Sequence, residues 1–318
     1  NNLQFARYVS REYSSQFAVE GAKVGQTINA RKPPKYMGGY GNALHLEDIA
    51  ETPVPITLNR LFGVHFTHTD VDLTLTMDNF RKRYLDSAVA RIANEIDSVG
   101  LDVLYKQIYN SVGTRGTVPN AILTYLNAGV YLDNTGTPRR GQNARNIVFG
   151  SQMQATLINA ASGLFHAGNP LRQNYEDGEM GFQLGFNFSM DQNIPTHTVG
   201  PLGGTPLVNG ANQTGTSLIT DGWTAAAANR LQEGDTFTIG TGTAQIFGVK
   251  PQTASAGGAV STGVLQQFVC TADADSDASG NITIPISPAI TPSGSSQTVT
   301  ASPADNAAIT MIGAANAV

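Results

Sequence analysis

The sequence predicts an α+β protein that ends in a separate all-β module. Three observations predict it. Residues 78–110 carry one apolar stripe at helical spacing. Segments before and after them alternate at strand spacing. From about residue 200 the composition shifts to Gly, Asn and Thr, with short strand-like runs between turns.

Residues 1–30 are polar with scattered aromatics, Phe5, Tyr8, Tyr13 and Phe17, which reads as an arm and not a core element. "GQTINARKPPKY" (25–36) begins as a strand and meets Pro33-Pro34, a pair that disfavours helix and central strand alike. "MGGYGNALHLEDIAETPVPI" (37–56) has two adjacent glycines and no core periodicity. It reads as a long excursion or extended hairpin with Arg31, Lys32 and Lys35 at its base.

"PITLNRLFGVHFTHTDVDLTL" (55–75) alternates, with Val64, Phe66, Val71, Leu73 and Leu75 as strand positions. Then the period changes. Leu85, Val89, Ile92, Ile96, Val99 and Val103 follow one another at steps of four and three, the apolar face of one long helix over 78–110. Asp78 is its expected N-cap and Gly100 its expected bend. Val89, Ile92, Ile96 and Val99 are its expected core contacts. The basic residues Arg81, Lys82, Arg83 and Arg91 are interleaved with Asp86, Glu95, Asp97 and Asp102. That mixture is a solvated face and not a DNA-facing one.

After a loop at 111–120, "NAILTYLNAGVYLDN" (120–134) reads as a helix capped at Asn120. "ARNIVFG" (144–150) reads as a short buried strand, and "SQMQATLINAASGLF" (151–165) as a helix capped at Ser151, together a βα unit. Phe182, Leu184, Phe186 and Phe188 alternate on one face of a strand. Beyond 200 a run of short strands and turns predicts an all-β module of roughly 120 residues.

Composition narrows the function classes. The chain has 318 residues, 41% apolar but only 14% charged, below the usual quarter or so. Such a neutral surface suits extensive protein contact. Residues 1–150 carry a net charge of +3 and residues 151–318 a net charge of −8, too weak a basic excess for dedicated nucleic-acid binding. The single cysteine, Cys270, excludes a disulfide within the chain and reads as a buried thiol. No apolar run reaches the ~20 residues needed to span a membrane. No signal peptide is visible, and the start at "NNLQFARYVSREY", without Met, reads as a processed or truncated product.

Chemistry-bearing motifs are weak. In "TADADSDASGN" (271–281), Asp273, Asp275 and Asp277 fit the first three ligand positions of a calcium loop. Ala278 stands where the loop needs Gly, Ile284 where it needs a bidentate Glu, and strands flank it where helices are required. A solvated hairpin loop is the reading. The five histidines (His45, His65, His68, His166 and His197) are scattered, and His65 with His68 lacks the further ligands of a zinc site. Gly150-Ser151 is neither a phosphate-binding loop nor a nucleophile elbow. No catalytic set, cofactor motif or metal site stands out, so the reading is of a protein that is not an enzyme.

The ordered segments carry a resemblance. "FARYVSREYSSQFAVEGAKVGQTINARKPPKY" resembles the N-terminal segment of major capsid (coat) proteins of tailed double-stranded-DNA bacteriophages, in the podovirus-type group with an inserted β-domain. "VHFTHTDVDLTLTMDNFRKRYLDSAVARIANEIDS" is similar to that family's strand and long spine helix. "LQEGDTFTIGTGTAQIFGVKPQT" together with "LQQFVCTADADSDASGNITIPISPAI" looks like its inserted domain.

The resemblance implies a Hong Kong 97-like fold. Its parts would be an N-terminal arm (1–30), an extended loop (31–60), a peripheral domain (61–117) with the spine helix at 78–110, an axial domain (118–200) and an inserted β-domain (201–318). Family members start some residues earlier and continue past "GAANAV", so C-terminal axial and peripheral segments are expected to be missing from this chain. The implied partners are copies of itself in hexamers and pentamers, scaffolding and portal proteins, and a decoration protein. The shell would enclose double-stranded DNA without sequence-specific binding, would need no cofactor and no membrane, and would be assembled in the host bacterial cytoplasm and end in the virion. Loop 31–60 would reach a neighbouring subunit, with Arg31, Lys32 and Lys35 meeting acidic groups across the contact. The alternative is a secreted or surface-layer structural protein or adhesin, for which the Thr/Asn/Gly-rich β half speaks.

Overall fold

The computed structural model describes residues 5, 6, 8, 9, 27–39, 41, 46, 51, 53–57, 59–65, 67, 81–139, 145–161, 182–225, 229–255 and 257–318. Tyr13, Phe17, His45, Phe66, His68, Val71, Leu73, Leu75, the Asp78 cap and His166 lie outside the described residues. The chain divides into two compact units, residues 1–34 with 48–101 and residues 35–47 with 102–318. The expected axial domain (118–200) and β-domain (201–318) therefore fall within one unit, and the expected loop (31–60) is shared between two.

In the first unit, β1 (Thr27–Arg31) pairs antiparallel with β2 (Pro53–Thr57), in register from Thr27 opposite Thr57 to Arg31 opposite Pro53. The two strands form a sheet of their own. Pro53 and Pro55, two residues apart, remove two N–H donors from the same edge of β2. The threonine hydroxyls at the open end hydrogen-bond at 2.8 Å.

The long helix is α1 (Asp86–Tyr105), led by a π-helical turn at Arg81–Leu85. It is shorter at its C-terminal end than the expected 78–110, since residues 106–107 turn and 108–110 run without helical bonding. The division between the units falls inside it. Its expected core face needs correction. Val89 is 61% exposed and Ile96 49% exposed, Ile92 and Val99 are only half-buried, and the buried residues are Ala93 and Asp97. A stripe at helical spacing identifies an apolar face. It does not supply what covers that face within one chain. Asp97 is fully buried, and its Oδ1 accepts the Ala6 N–H at 2.9 Å, while Gly100 lies where a Cβ would meet the Phe5 ring.

In the second unit, the first helix after the 106–120 segment is α2 (Ile122–Asn134). Its N-cap is Ala121, with no side-chain cap bond, and not Asn120. Strand β3 (Asn146–Phe149) leads through Gly150 into α3 (Ser151–Ala161), where Ser151 is the first helical residue and not the cap. β4 (Phe182–Gln183) and β5 (Phe186–Met190) follow. β3 and α3 make the βα unit that the sequence predicts, and β5 pairs parallel with β3. The expected single strand over 182–188 is instead a hairpin. Leu184 and Gly185 both have positive φ, the conformation of a two-residue type I′ turn. Tyr125, Phe149, Leu157, Phe186 and Phe188 form the core of this part.

The rest of the unit is all β: β6 (Gly204–Val208), β7 (Gly215–Trp223), β8 (Thr236–Ile239), β9 (Phe247–Val249), β10 (Ser261–Leu265), β11 (Gln267–Cys270), β12 (Ile282–Ile290) and β13 (Ile309–Met311). β9 and β10 pair alone. The other six form an antiparallel sheet in the order β13-β8-β11-β12-β7-β6. Leu207 bridges Ala308, and Val208 and Asn306 donate backbone bonds of 2.9 Å to Ala307 and Val208. These bonds join β6 to the residues leading into β13 and close the sheet into a barrel.

Alternation fills the interior. Ile282, Ile284 and Ile286 on β12 and Leu218 and Trp223 on β7 point inward, while Thr283 and Ile219 face out. Thr220 is buried too. Its hydroxyl donates to the Ile282 carbonyl and accepts from the Trp223 indole N–H, so the inward polar group is satisfied. Gly204 and Gly222, both at positive φ on paired strands, sit where a Cβ on either would run into the other strand's backbone. Cys270 is fully buried in this core, and burial pushes its thiol up to about 12. We expect no reaction with a thiol reagent at about pH 8 until the barrel unfolds. Stoichiometric labelling of the native protein contradicts this burial.

Candidate functional site

Two kinds of feature compete for function: surfaces that a single chain leaves uncovered, and polar clusters that it buries. The surfaces are built by local rules. In the β1–β2 ribbon nearly every described side chain is exposed, Ile56 included. A lone two-stranded ribbon is marginally stable in water. On α1 the exposed apolar residues Val89, Ile96 and Val103 repeat every seven residues. On α2, Leu123, Leu126 and Val130 repeat at steps of three and four and are exposed as well.

The three basic residues expected at the base of the loop have separate fates. Arg31 Nη1 meets Glu51 Oε2 at 2.7 Å within its own ribbon, so its acidic partner is intramolecular. Lys32 is exposed beside Pro33. Lys35 belongs to the other unit, where the following residues lie along the β module: Gly38 bridges Ser255 in parallel and donates to the Ala254 carbonyl at 3.1 Å.

The aspartate run forms the connection of the β11–β12 hairpin. Each carboxylate has its own backbone donor. Asp273 accepts from Glu233 N at 2.8 Å and Asp275 from Asn229 N. Asp277 accepts from Asn281 N and Ser279 N at 2.8 Å and from the Asn281 amide at 2.9 Å. The Asn281 bonds foremost hold the Asp277 carboxyl below its ordinary range. The three carboxylates thus staple separate turns.

The strongest buried cluster was not legible in the sequence. Asp235 is 1% exposed at the start of β8. Its Oδ2 accepts from Gln232 N at 2.9 Å and Gly200 N at 3.1 Å, and its Oδ1 contacts His197 Nε2 at 2.9 Å. Arg115 Nη1 stands 3.8 Å from the same Oδ1, while Arg115 Nη2 donates to Gly234 O and Thr236 Oγ1. Burial lowers the Arg115 pKa. Tyr105 packs edge-on against His197, with ring centres 5.5 Å apart. The arrangement joins a carboxylate, an imidazole and a guanidinium, with the Ser111 and Thr236 hydroxyls beside them. It ties the 111–118 loop and the 197–200 segment to the barrel. His65, by contrast, is exposed.

A second cluster holds the end of α2. Asp133 accepts from Arg139 and, at 2.6 Å, from Arg145 Nη2, which also donates to Thr137 O. The Arg139 and Arg145 bonds hold the Asp133 carboxyl well below the usual carboxylate range. A carboxylate favoured by folding contributes stability above its unfolded pKa of about 4 and loses it as pH falls below that. Melting temperature should therefore fall from about pH 4 downward, and less steeply in Asp133→Asn; equal slopes contradict the assignment.

Among the described residues no group of three or more His, Cys, Asp or Glu is placed to hold a metal ion, and no helix is long and apolar enough to cross a membrane. No protein-family model and no curated protein matches the chain. Among solved structures, a chain from Mycobacterium phage Che8 is similar over 99% of this chain and 89% of its own, with 13% identity and a TM-score of 0.43. A likeness of that size carries no argument about function.

Proposed function

We propose that this chain is the structural subunit of an icosahedral bacteriophage capsid, a non-catalytic building block that associates with copies of itself into hexamers and pentamers around double-stranded DNA. The observation that carries the reading is the apolar surface a single chain leaves open: a ribbon solvated on both faces and a heptad stripe on α1. Contiguous exposed apolar surface marks sites of protein contact, and heterologous contacts that close into rings build such shells. The ordered sequence segments that resemble tailed-phage coat proteins support the same reading, as does the low charge content. Scaffolding, portal and decoration proteins are the further partners this role calls for.

Negative-stain microscopy and sedimentation of the purified chain, alone and with a scaffolding protein, test the reading. Rings or shells are the expected result. A chain that stays monomeric under both conditions overturns it, and one that binds a cell surface as a monomer returns the adhesin reading.

Ile96→Asp separates fold from assembly. Ile96 is half exposed in the single chain, so the new carboxylate stays hydrated and subunit stability should change by no more than about 0.5 kcal/mol. Particle yield should collapse, because assembly would bury the charge without a partner. Normal particles from Ile96→Asp remove α1 from the contact.

A further inference from the structure

We infer that the second unit carries a binding site for one acidic sugar ring. The site is a cavity of about 150 Å³ between the C-terminal end of α2, the segment after α1, and the β9–β10 pair. At ~30 Å³ per water this is room for about five waters, the scale of a single substituted ring and not of a peptide.

The lining sets the chemistry. Lys35 is the one charged residue among those that line the cavity, so it favours an anionic ligand and offers a metal ion no carboxylate. Tyr109, Asn110 and Asn134 also line it, are half-buried, and have side-chain polar groups with no hydrogen-bond partner among the described residues. A phenol and two amides left free around one hollow can donate to and accept from ring hydroxyls. Tyr131 supplies a ring whose hydroxyl is already engaged by Gln267 at 3.1 Å. Val249 and Val264 supply the aliphatic wall. Apolar and aromatic walls with a few convergent polar groups and one charge are the general make-up of small-ligand sites.

An anionic sugar could present a carboxylate, as in a uronate of a polysaccharide, or a phosphate ester, as in a soluble sugar phosphate. Both put hydroxyls on the amides and an anion on Lys35. The inference is independent of the shell reading, since it requires no second copy of the chain.

Saturation-transfer NMR and calorimetry on the full chain test it with three probes: methyl glucuronide, glucose 6-phosphate and neutral methyl glucoside. At least one charged probe should bind with a Kd of about 1 mM or tighter, and the neutral one about tenfold more weakly. Binding of the glucuronide alone, of the phosphate alone, or of both names the source. Lys35 is exposed and makes no hydrogen bond among the described residues, so Lys35→Met should keep the fold and reduce charged-probe affinity to the neutral level. Asn134→Ala should weaken all three by roughly fivefold through one lost hydrogen bond. No transfer to any probe, a neutral probe that binds as well as the charged ones, or unchanged affinity in both variants overturns the site.

Discussion

Phe268→Ala lowers the stability of the barrel by about 3–5 kcal/mol, the usual cost of emptying a fully buried aromatic site. Phe268 has no exposed surface, stands opposite Phe237 in the β8–β11 register and stacks on it with ring centres 5.9 Å apart. Its neighbours are strands bonded on both sides, since β11 lies between β8 and β12. They cannot collapse into the hole without breaking the ladder, so the cavity cost stays near the upper end. In a chain of this size that corresponds to a melting-temperature drop on the order of 10 °C. Ile219→Ala, on the outer face of the same barrel, is the control and should shift the midpoint far less. Equal losses would mean that the inside and outside of the barrel are assigned wrongly.

Asp235→Ala has a comparable effect for an electrostatic reason. The carboxylate accepts two backbone N–H groups and faces His197 and Arg115. Its removal strands those donors and leaves the largely buried Arg115 guanidinium without its counter-charge, at a cost of about 3–5 kcal/mol. Chemical denaturation of the two proteins reads this as a shift in midpoint at unchanged slope. Asp277→Ala is the contrast. That carboxylate is exposed on a loop, and its loss should be small beside that of Asp235. A silent Asp235→Ala would remove the cluster as the tie between the barrel and its neighbouring segments.

These two sites differ in how visible they are in the sequence. The interior of β12 can be read from "NITIPIS", because alternate isoleucines declare a half-buried strand. The long helix can be read from the steps along Val89, Ile92, Ile96 and Val99. Those steps say which face is apolar and not where the partner is, and so the core assignment failed at Val89 and Ile96 while the helix stood. Phe182 to Phe188 shows the limit of alternation. The turn at Leu184–Gly185 preserves the period-two pattern through a reversal of the chain, and nothing but one glycine marks it. The Asp235 cluster is invisible for a different reason. Arg115, His197 and Asp235 lie far apart along the chain, none sits in a motif, and only the closing of the fold brings their charges together. The cavity at Lys35 is hidden likewise, being assembled from segments that are distant in sequence.

The seam of the barrel has a consequence in time. β6 and the segment leading into β13, which meet at Leu207 and Ala308, have β7 to β12 between them in the chain. When the chain leaves the ribosome, β6 and β7 emerge early as a hairpin with one edge open, and the segment that covers that edge follows about a hundred residues later. Closure is a contact of long sequence separation, the kind that folds slowly. For that interval the open edge of β6 is a template for the wrong strand. Until the seam closes, the exposure of that edge, and not the finished barrel, is where mispairing can begin.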